Sequence, residues 1–359
     1  FGFKLQQQSV SPDDFNPQFL NSPPARQNYM ARVEFKQPLL NLDMIHQRKA
    51  ARKQVDVYYY KTEWTKEYLK FEMQKAYAQL QLSYQAVRVL KEALITSYSV
   101  LNTSQNHFKQ GYLLKSDVLL AQVHVASLES KLAEANSDVR NASDYLSLLM
   151  GVHGGNTIFA VDTLEKVDEA TTAVGTQVPD DRADLKALAS ALGAQEIMVN
   201  ATRMSLLPKL NAFGNYTYND KTFAGFGSGS YLIGVQLSWN IFNGASSLHR
   251  TAEQRIAYSK IQQQLSYQKE QSQVELNKAL RQLQDAQVAL HQHDLAIEQA
   301  AEALRILENR FEQGLASADD VLKSQTVLSQ QKLLDGETVF KYNTIWAYLN
   351  FLTSTNGNK

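Results

Sequence analysis

From Met44 to Gln110 the chain contains neither proline nor glycine. Those two residues are the ones that most readily interrupt a helix. The stretch therefore predicts one uninterrupted helix, roughly 100 Å long at about 1.5 Å per residue. Within it Leu80, Val87, Leu94, Leu101 and Phe108 recur at seven-residue spacing. The same spacing continues at Val118, Val125, Leu132, Val139 and Leu146, and reappears late in the chain at Leu283, Leu290, Ile297, Leu304 and Phe311. An apolar seven-residue repeat sustained this far implies coiled-coil packing. No ordinary globular domain needs so long a rod.

The late stripe is part of a wider duplication. At a constant offset of about two hundred residues, Ala76, Gln79 and Leu80 fall on Ala279, Gln282 and Leu283. Phe108-x-Gln110-Gly111 falls on Phe311-x-Gln313-Gly314, Asp117-Val118-Leu119 on Asp320-Val321-Leu322, and Tyr145-Leu146 on Tyr348-Leu349. Such a period is too long for a solenoid and reads as a duplicated domain.

Each copy opens on strands. Tyr29, Ala31, Val33 and Phe35 alternate with Met30, Arg32, Glu34 and Lys36. Tyr231, Ile233, Val235, Leu237 and Trp239 alternate with Leu232, Gly234, Gln236, Ser238 and Asn240. Period two with charges on one side means a half-buried strand. Phe1 to Gln6 and Leu210 to Tyr218 supply the earlier strand of each copy, joined by loops rich in Pro and Asn (9–28) or Gly (220–230). Turns at Gln37-Pro38 and Asn243-Gly244 lead into the long helices. Gly111 and Gly314 stand where a left-handed residue ends a helix. Ser116 and Ser317 lie near the starts of the returning helices, where a capping hydroxyl is useful. The expected organisation is a first repeat over 1–150 (strands 1–8 and 29–37, hairpin 44–150) and a connector over 151–181. A second repeat follows over 182–352 (helix 182–207, strands 210–219 and 231–240, hairpin 244–352), then a tail over 353–359. The connector, with Gly154-Gly155, short β-like runs and Pro179, is expected to form a small layer of its own.

The strands carry an aromatic-rich apolar face that the long helices, committed to one another, cannot cover. Their length approaches the 9–11 residues or so of a lipid-facing strand. Tyr29, Tyr216, Tyr218, Tyr231 and Trp239 suit an interfacial girdle. A membrane sheet must have no free edge, and four strands are too few to enclose an interior. Closure requires several copies, and three would supply twelve strands. On this reading Tyr29, Val33, Phe35, Tyr231, Ile233, Val235, Leu237 and Trp239 face lipid. Arg32, Glu34, Lys36, Gln236 and Ser238 face a water-filled lumen, the ordinary solvent face of a sheet being the weaker alternative.

Composition removes other classes. Acidic and basic residues balance at 36 each, so nothing marks a nucleic-acid binder. With no cysteine there is no disulfide framework, thiolate chemistry or Cys-based zinc site. No apolar run reaches the length of a membrane-crossing helix. His291 and His293 point to different helix faces and make no metal pair. Gly225-x-Gly227-x-Gly229 lacks the Lys-Ser/Thr ending of a phosphate loop and precedes a strand, so it reads as a surface hairpin loop. No paired carboxylates, nucleophile elbow or cofactor motif points to an enzyme.

Several segments together resemble the TolC family of outer membrane efflux proteins. Asp184-Leu185-Lys186-Ala187 through Leu206-Leu207-Pro208-Lys209-Leu210 resembles the family's helix leading into a strand. Val235-Gln236-Leu237-Ser238-Trp239-Asn240-Ile241-Phe242-Asn243-Gly244 resembles its strand-to-helix joint. Arg310-Phe311-Glu312-Gln313-Gly314 with Asp320-Val321-Leu322 resembles its periplasmic tip, echoed by Phe108 to Leu119. The resemblance implies a mainly α fold with a small β part: a homotrimer whose twelve-stranded barrel sits in outer-membrane lipid above a long α-helical barrel. It implies a passive exit duct in a Gram-negative cell, with a periplasmic adaptor (membrane fusion) protein and an inner-membrane pump of RND, ABC or MFS type as partners, and no cofactor, metal or nucleic acid. It places a gate at Ser116, Asp117, Phe311, Asp320 and Lys323, although the two aspartates also suit plain first-turn acids. Ala316, Phe311 and Lys323 stand where a family member can carry a basic lock residue, a tyrosine and a second ring aspartate. We expect Asp320 and Lys323 to form a charged collar. The first copy shows no helix before Phe1, so an amino-terminal helix and any leader or lipidated cysteine are expected to precede it. The competing function is a structural coiled-coil tether or scaffold without a channel.

Overall fold

The computed structural model describes residues 2–7, 29–152, 157–160, 162–167, 175–220 and 227–355. In order the elements are β1 (Gly2–Gln7), β2 (Tyr29–Leu40), α1 (Leu42–Lys109), α2 (Lys115–Met150), α3 (Ala183–Met204), β3 (Lys209–Asp220), β4 (Ser228–Ser238), α4 (Ser246–Glu312) and α5 (Ala318–Leu352). The chain is thus mainly helical with one small sheet, and α1 runs 68 residues without a break. The loops at 8–28 and 221–226, including Gly225, lie outside the described residues, as do Gly154, Gly155 and 356–359.

Two compact units divide the chain, and their boundaries fall inside α1, α3 and α4. The first comprises Phe1–Tyr58 and Ala187–Leu265. It holds the sheet, ordered β1-β2-β3-β4 with antiparallel neighbours. Its helical part packs through small side chains, with Ala50, Val57, Ala194, Val199 and Ala201 buried. Gln195 donates to the Gln254 side chain at 2.8 Å between α3 and α4.

Two strand ends differ from the sequence reading. The turn expected at Gln37-Pro38 does not form: β2 continues to Leu40, with Pro38 opposite Asn211 and a register shift between Pro38 and Leu40. Proline lacks the ladder N–H and is tolerated where the pairing is irregular. β4 stops at Ser238, so Trp239 and Asn240 lie beyond it. There the Trp239 indole N–H donates to the Leu206 carbonyl at 3.0 Å, which gives a large exposed ring a fixed place.

The second unit, Tyr59–Lys186 with Ser266–Lys359, holds the rest of the helices. Three apolar clusters follow one another along them. One centres on Phe71, Leu276, Tyr342, Trp346 and Leu349. A second joins Leu80, Val87 and Leu90 to Leu128, Val139 and Leu146. The third joins Val100, Leu304 and Phe311 to Val321, Leu322 and Leu328. Most positions of the seven-residue stripes lie in or against these clusters; Val118 and Val125 are buried outside them, and Phe108 is 42% exposed. Its counterpart Phe311 is buried, with the His107 ring against it at 6.0 Å. The core at this end takes one of the two rings.

The described part of the connector forms no strand, contrary to the β-like layer expected. Helix side chains satisfy its backbone instead, as any buried N–H or C=O requires. Ile158 N–H donates to Ser143 Oγ at 2.7 Å, and Tyr84 OH donates to the Ile158 carbonyl at 3.2 Å. Val167 N–H donates to Asn343 Oδ1, whose own amide donates to Glu165 O. Gln273 serves Thr176 and Val178 in the same two-way fashion.

Candidate functional site

In the first unit the candidate site is the sheet, whose register shows which residues lie opposite one another. Val33 pairs with Phe3 on one side and Tyr216 on the other, and Tyr216 with Tyr231. Ala31 pairs with Leu5 and Tyr218, Phe35 with Gly214 and thence Ile233, and Ala212 with Val235. Directly opposite residues share a face, so β2, β3 and β4 present one continuous apolar, tyrosine-rich surface. The Tyr216 and Tyr218 rings lie 4.6 Å apart on it. The tyrosine hydroxyl of Tyr216 lies over Gly229, where a Cβ would sit 2.6 Å from it. Nothing among the described residues covers this surface: Tyr231, Ile233, Val235 and Leu237 are 62–77% exposed.

The opposite face gathers Arg32, Glu34, Lys36, Gln236 and Ser238 with Asn211, Asn215 and Thr217. Arg32 Nε donates to Thr217 Oγ1 at 3.2 Å, and Lys36 pairs with Glu34 at 3.1 Å. Where this sheet meets α1, Lys209 pairs with the buried Asp43.

In the second unit the candidate site is the end where α1 turns into α2 and α4 into α5. Both turns have one design. Gly111 N–H donates to Phe108 O and Tyr112 N–H to His107 O; Gly314 N–H donates to Phe311 O and Leu315 N–H to Arg310 O. Gly111 and Gly314 have φ of 81° and 72°. A Cβ at either would meet nothing within 4 Å, so backbone conformation alone demands glycine.

The helix starts differ. Ser317 caps α5 reciprocally: Asp320 N–H donates to Ser317 Oγ, Ser317 N–H donates to the Asp320 carboxylate, and so does its hydroxyl, at 2.7 Å. These bonds from Ser317 hold the Asp320 carboxyl below the usual carboxylate range. At α2 the cap position belongs to Leu114, whose N–H donates to Asp117 at 3.2 Å. Ser116 already lies inside the helix and supplies no cap, which corrects the expectation for it. Lys323 is ion-paired with Asp319, an acid the sequence reading passed over.

A cleft of about 360 Å³ opens at this end, lined by Asp117, Leu120 and His124 of α2 and by Asp319, Leu322 and Lys323 of α5. His124 Nε2 is buried there without a hydrogen-bond partner. Burial, then Lys131, pushes the His124 pKa down. The unfolded chain therefore binds its proton more readily than the folded one. Stability at this end is full above an unfolded value of about 6.5 and falls as pH drops from there through the lowered folded value. Hydrogen exchange in the first turns of α2 and α5, corrected for intrinsic rates, is expected to be faster at about pH 5 than at about pH 7.5. His124→Gln should remove the difference; an unchanged dependence in that variant would refute the role of His124.

The sequence also gave no warning of Arg182. It is 1% exposed and donates to both Asp184 oxygens, at 2.6 and 2.8 Å, to Ser272 Oγ and to the Leu352 carbonyl. Its guanidinium also lies 5.1 Å from the Trp64 ring. Nearby, Tyr348 donates to Glu275 at 3.1 Å, and burial with that carboxylate pushes its pKa up to about 12.

Among the described residues no group of three or more potential ligands could hold a metal, and no helix is long and apolar enough to cross a membrane.

Residues 3–152 and 176–335 match the family described as outer membrane efflux protein. No curated protein matches significantly. Among solved structures, the chain is similar to the outer membrane protein VceC from Vibrio cholerae, at 18% identity and a TM-score of 0.79, over 99% of this chain and 86% of that one. It is similar to the Campylobacter jejuni CmeC outer membrane channel at 14% identity and a TM-score of 0.83, over 100% and 78%. The open state of the Neisseria gonorrhoeae MtrE outer membrane channel aligns at 15% identity and a TM-score of 0.80, over 99% and 79%.

Proposed function

The chain belongs to the outer membrane efflux protein family, and from that premise we propose that it is one protomer of a homotrimeric exit duct, gated at its helical tip. The observation that carries this reading is the uncovered, two-faced sheet with an edge at β1 and an edge at β4. Each strand is antiparallel to the next, so β4 of one copy runs antiparallel to β1 of another. Three copies close twelve strands with no free edge, the condition for a sheet in lipid. The tyrosine-rich face then meets lipid and the face with Arg32, Glu34 and Lys36 meets water. The repeated element order, two strands followed by two helices, supports a duplicated unit. The exposed apolar residues of the helices, such as Ile95, Val123, Val288 and Ile306, suit contacts between copies in an α-helical barrel crossing the periplasm.

The duct does no chemistry. Energy comes from an inner-membrane pump of RND, ABC or MFS type, coupled through a periplasmic adaptor that opens the tip in a Gram-negative cell. Asp117, Asp320, Lys323 and Asp319 form the charged collar in this reading, with Phe311 and the turns at Gly111 and Gly314 holding the helix ends beneath it. Planar-bilayer recording tests the gate. Asp320→Ala should change closed-state conductance and ion selectivity, while Asp144→Ala, midway up the same helical region, should change neither. Unchanged current in Asp320→Ala would make that residue a helix cap and nothing more.

A further inference from the structure

Along α4 and α5 the apolar core has a gap. Among the described residues, none between Leu290 and Ile297 on α4, and none between Leu328 and Val339 on α5, belongs to or packs against an apolar cluster. Between α1 and α2 the core runs on, with Leu90 buried and Leu132 packed against the same cluster. The sequence accounts for the difference. At the offset that sets Val321 on Val118 and Leu349 on Leu146, His293 falls on Leu90 and Asp335 on Leu132. Gly336 falls on Ala133. An apolar rung is thus replaced by a histidine, an aspartate and a glycine.

Asp335 is partly buried. Burial, then the Asp294 charge, holds its carboxyl above the usual carboxylate range, with His293 acting the other way. Lys332, one turn earlier on α5, is taken up by Glu92 of α1 at 2.7 Å. Gln85, the α1 side chain against Gly336, is uncharged, and a Cβ at Gly336 would lie 3.0 Å from it. Asp138 of α2 shares a groove with Leu333 and Glu337, not with Asp335. A partly buried carboxylate beside a second one favours states in which the helices part and water reaches it. Glycine inside a helix adds backbone freedom.

We propose that the His293–Asp335 rung, with Gly336, is a proton-responsive flexure: α4 and α5 open and bend there while Asp335 is ionised, and close up when it takes a proton. The flexure is a property of one chain and stands apart from the gate at the tip. The folded rung binds a proton more readily than the unfolded chain. Its stability is therefore full below the unfolded value of about 3.9 and is lost as pH rises through the raised folded value.

Hydrogen exchange in the detergent-purified protein, corrected for intrinsic rates and followed from about pH 7.5 to about pH 4, tests the flexure. At the upper end, residues 291–297 and 331–338 are expected to exchange faster than 88–94 and 128–135, the stretches on which they fall at the same offset. Exchange at the rung should slow as pH drops, the opposite of the change expected in the first turns of α2 and α5. Asp335→Asn keeps the shape and removes the charge. It should slow exchange at the rung about tenfold near neutral pH, the equivalent of one pKa unit, and remove the pH dependence. His293→Leu combined with Asp335→Leu should protect both stretches at every pH, because an apolar pair leaves no charge in the seam. Exchange at the rung no faster than in the matched stretches, or a pH dependence that survives Asp335→Asn, would overturn the proposal.

Discussion

Arg182→Met is expected to destabilise the second unit by about 3–5 kcal/mol, the usual cost of removing one partner of a buried ion pair. Methionine can fill much of the space against Trp64 but leaves the Asp184 carboxylate, itself largely buried, with only the long 3.5 Å contact from Gln268. It also strips a donor from Ser272 and from the carbonyl of Leu352, the last residue of α5. The loss should appear as a lowered thermal midpoint in detergent. Arg182→Met combined with Asp184→Leu should recover part of it, because an apolar pair leaves no orphaned charge. A double variant as unstable as the single one would mean that packing, and not the ion pair, supplies the stability.

Val235→Arg is expected to abolish or strongly reduce assembled protein in the outer membrane, at a cost of about 2–4 kcal/mol for a cation near the bilayer midplane. Val235 stands opposite Ala212 on the apolar face, and the next residue, Gln236, stands opposite Asn211 on the other. Gln236→Arg should therefore assemble normally and alter conductance. The pair shares strand, depth and charge, differing only in face. Quantifying folded trimer on semi-native gels decides between them, and equal tolerance would refute the assigned faces.

Much of this architecture is legible in the sequence because it obeys simple periods. Alternation in 29–36 and 231–238 divides each strand into two sides, and the register of β2, β3 and β4 shows which of these sides lie together. The seven-residue stripes mark the helical core, and Gly111 and Gly314 mark the turns. What escaped has local causes. Alternation continues through Trp239, but strand pairing stops at Ser238 and the ring is fixed by Leu206. Pro38 looked like a turn because proline ends most strands, yet a register shift accommodates it. The connector looked β-like because its apolar pattern says nothing of partners. Ser143, Asn343 and Gln273, far away in sequence, complete its hydrogen bonds. Phe108 and Phe311 hold matching places in the seven-residue stripes and differ in burial, since the apolar cluster at this end takes in Phe311 and leaves Phe108 exposed. At the tip, Ser116 looked like the cap, but capping depends on the residue just outside the helix, and there Leu114 stands where the second copy has Ser317. Arg182 and Asp319 follow no period at all.

The most direct test is covalent closure of the barrel. The chain has no cysteine, so paired substitutions give an unambiguous readout. One cysteine is placed in turn at each position from Phe3 to Gln6 on β1, and a second at Ile233 on β4, in protein assembled in the outer membrane. If β4 of each copy pairs with β1 of the next, at least one pairing forms disulfides that yield a species of three chains and none larger. Monomer at every pairing, or an open-ended ladder of ever larger products, would contradict a closed trimeric barrel.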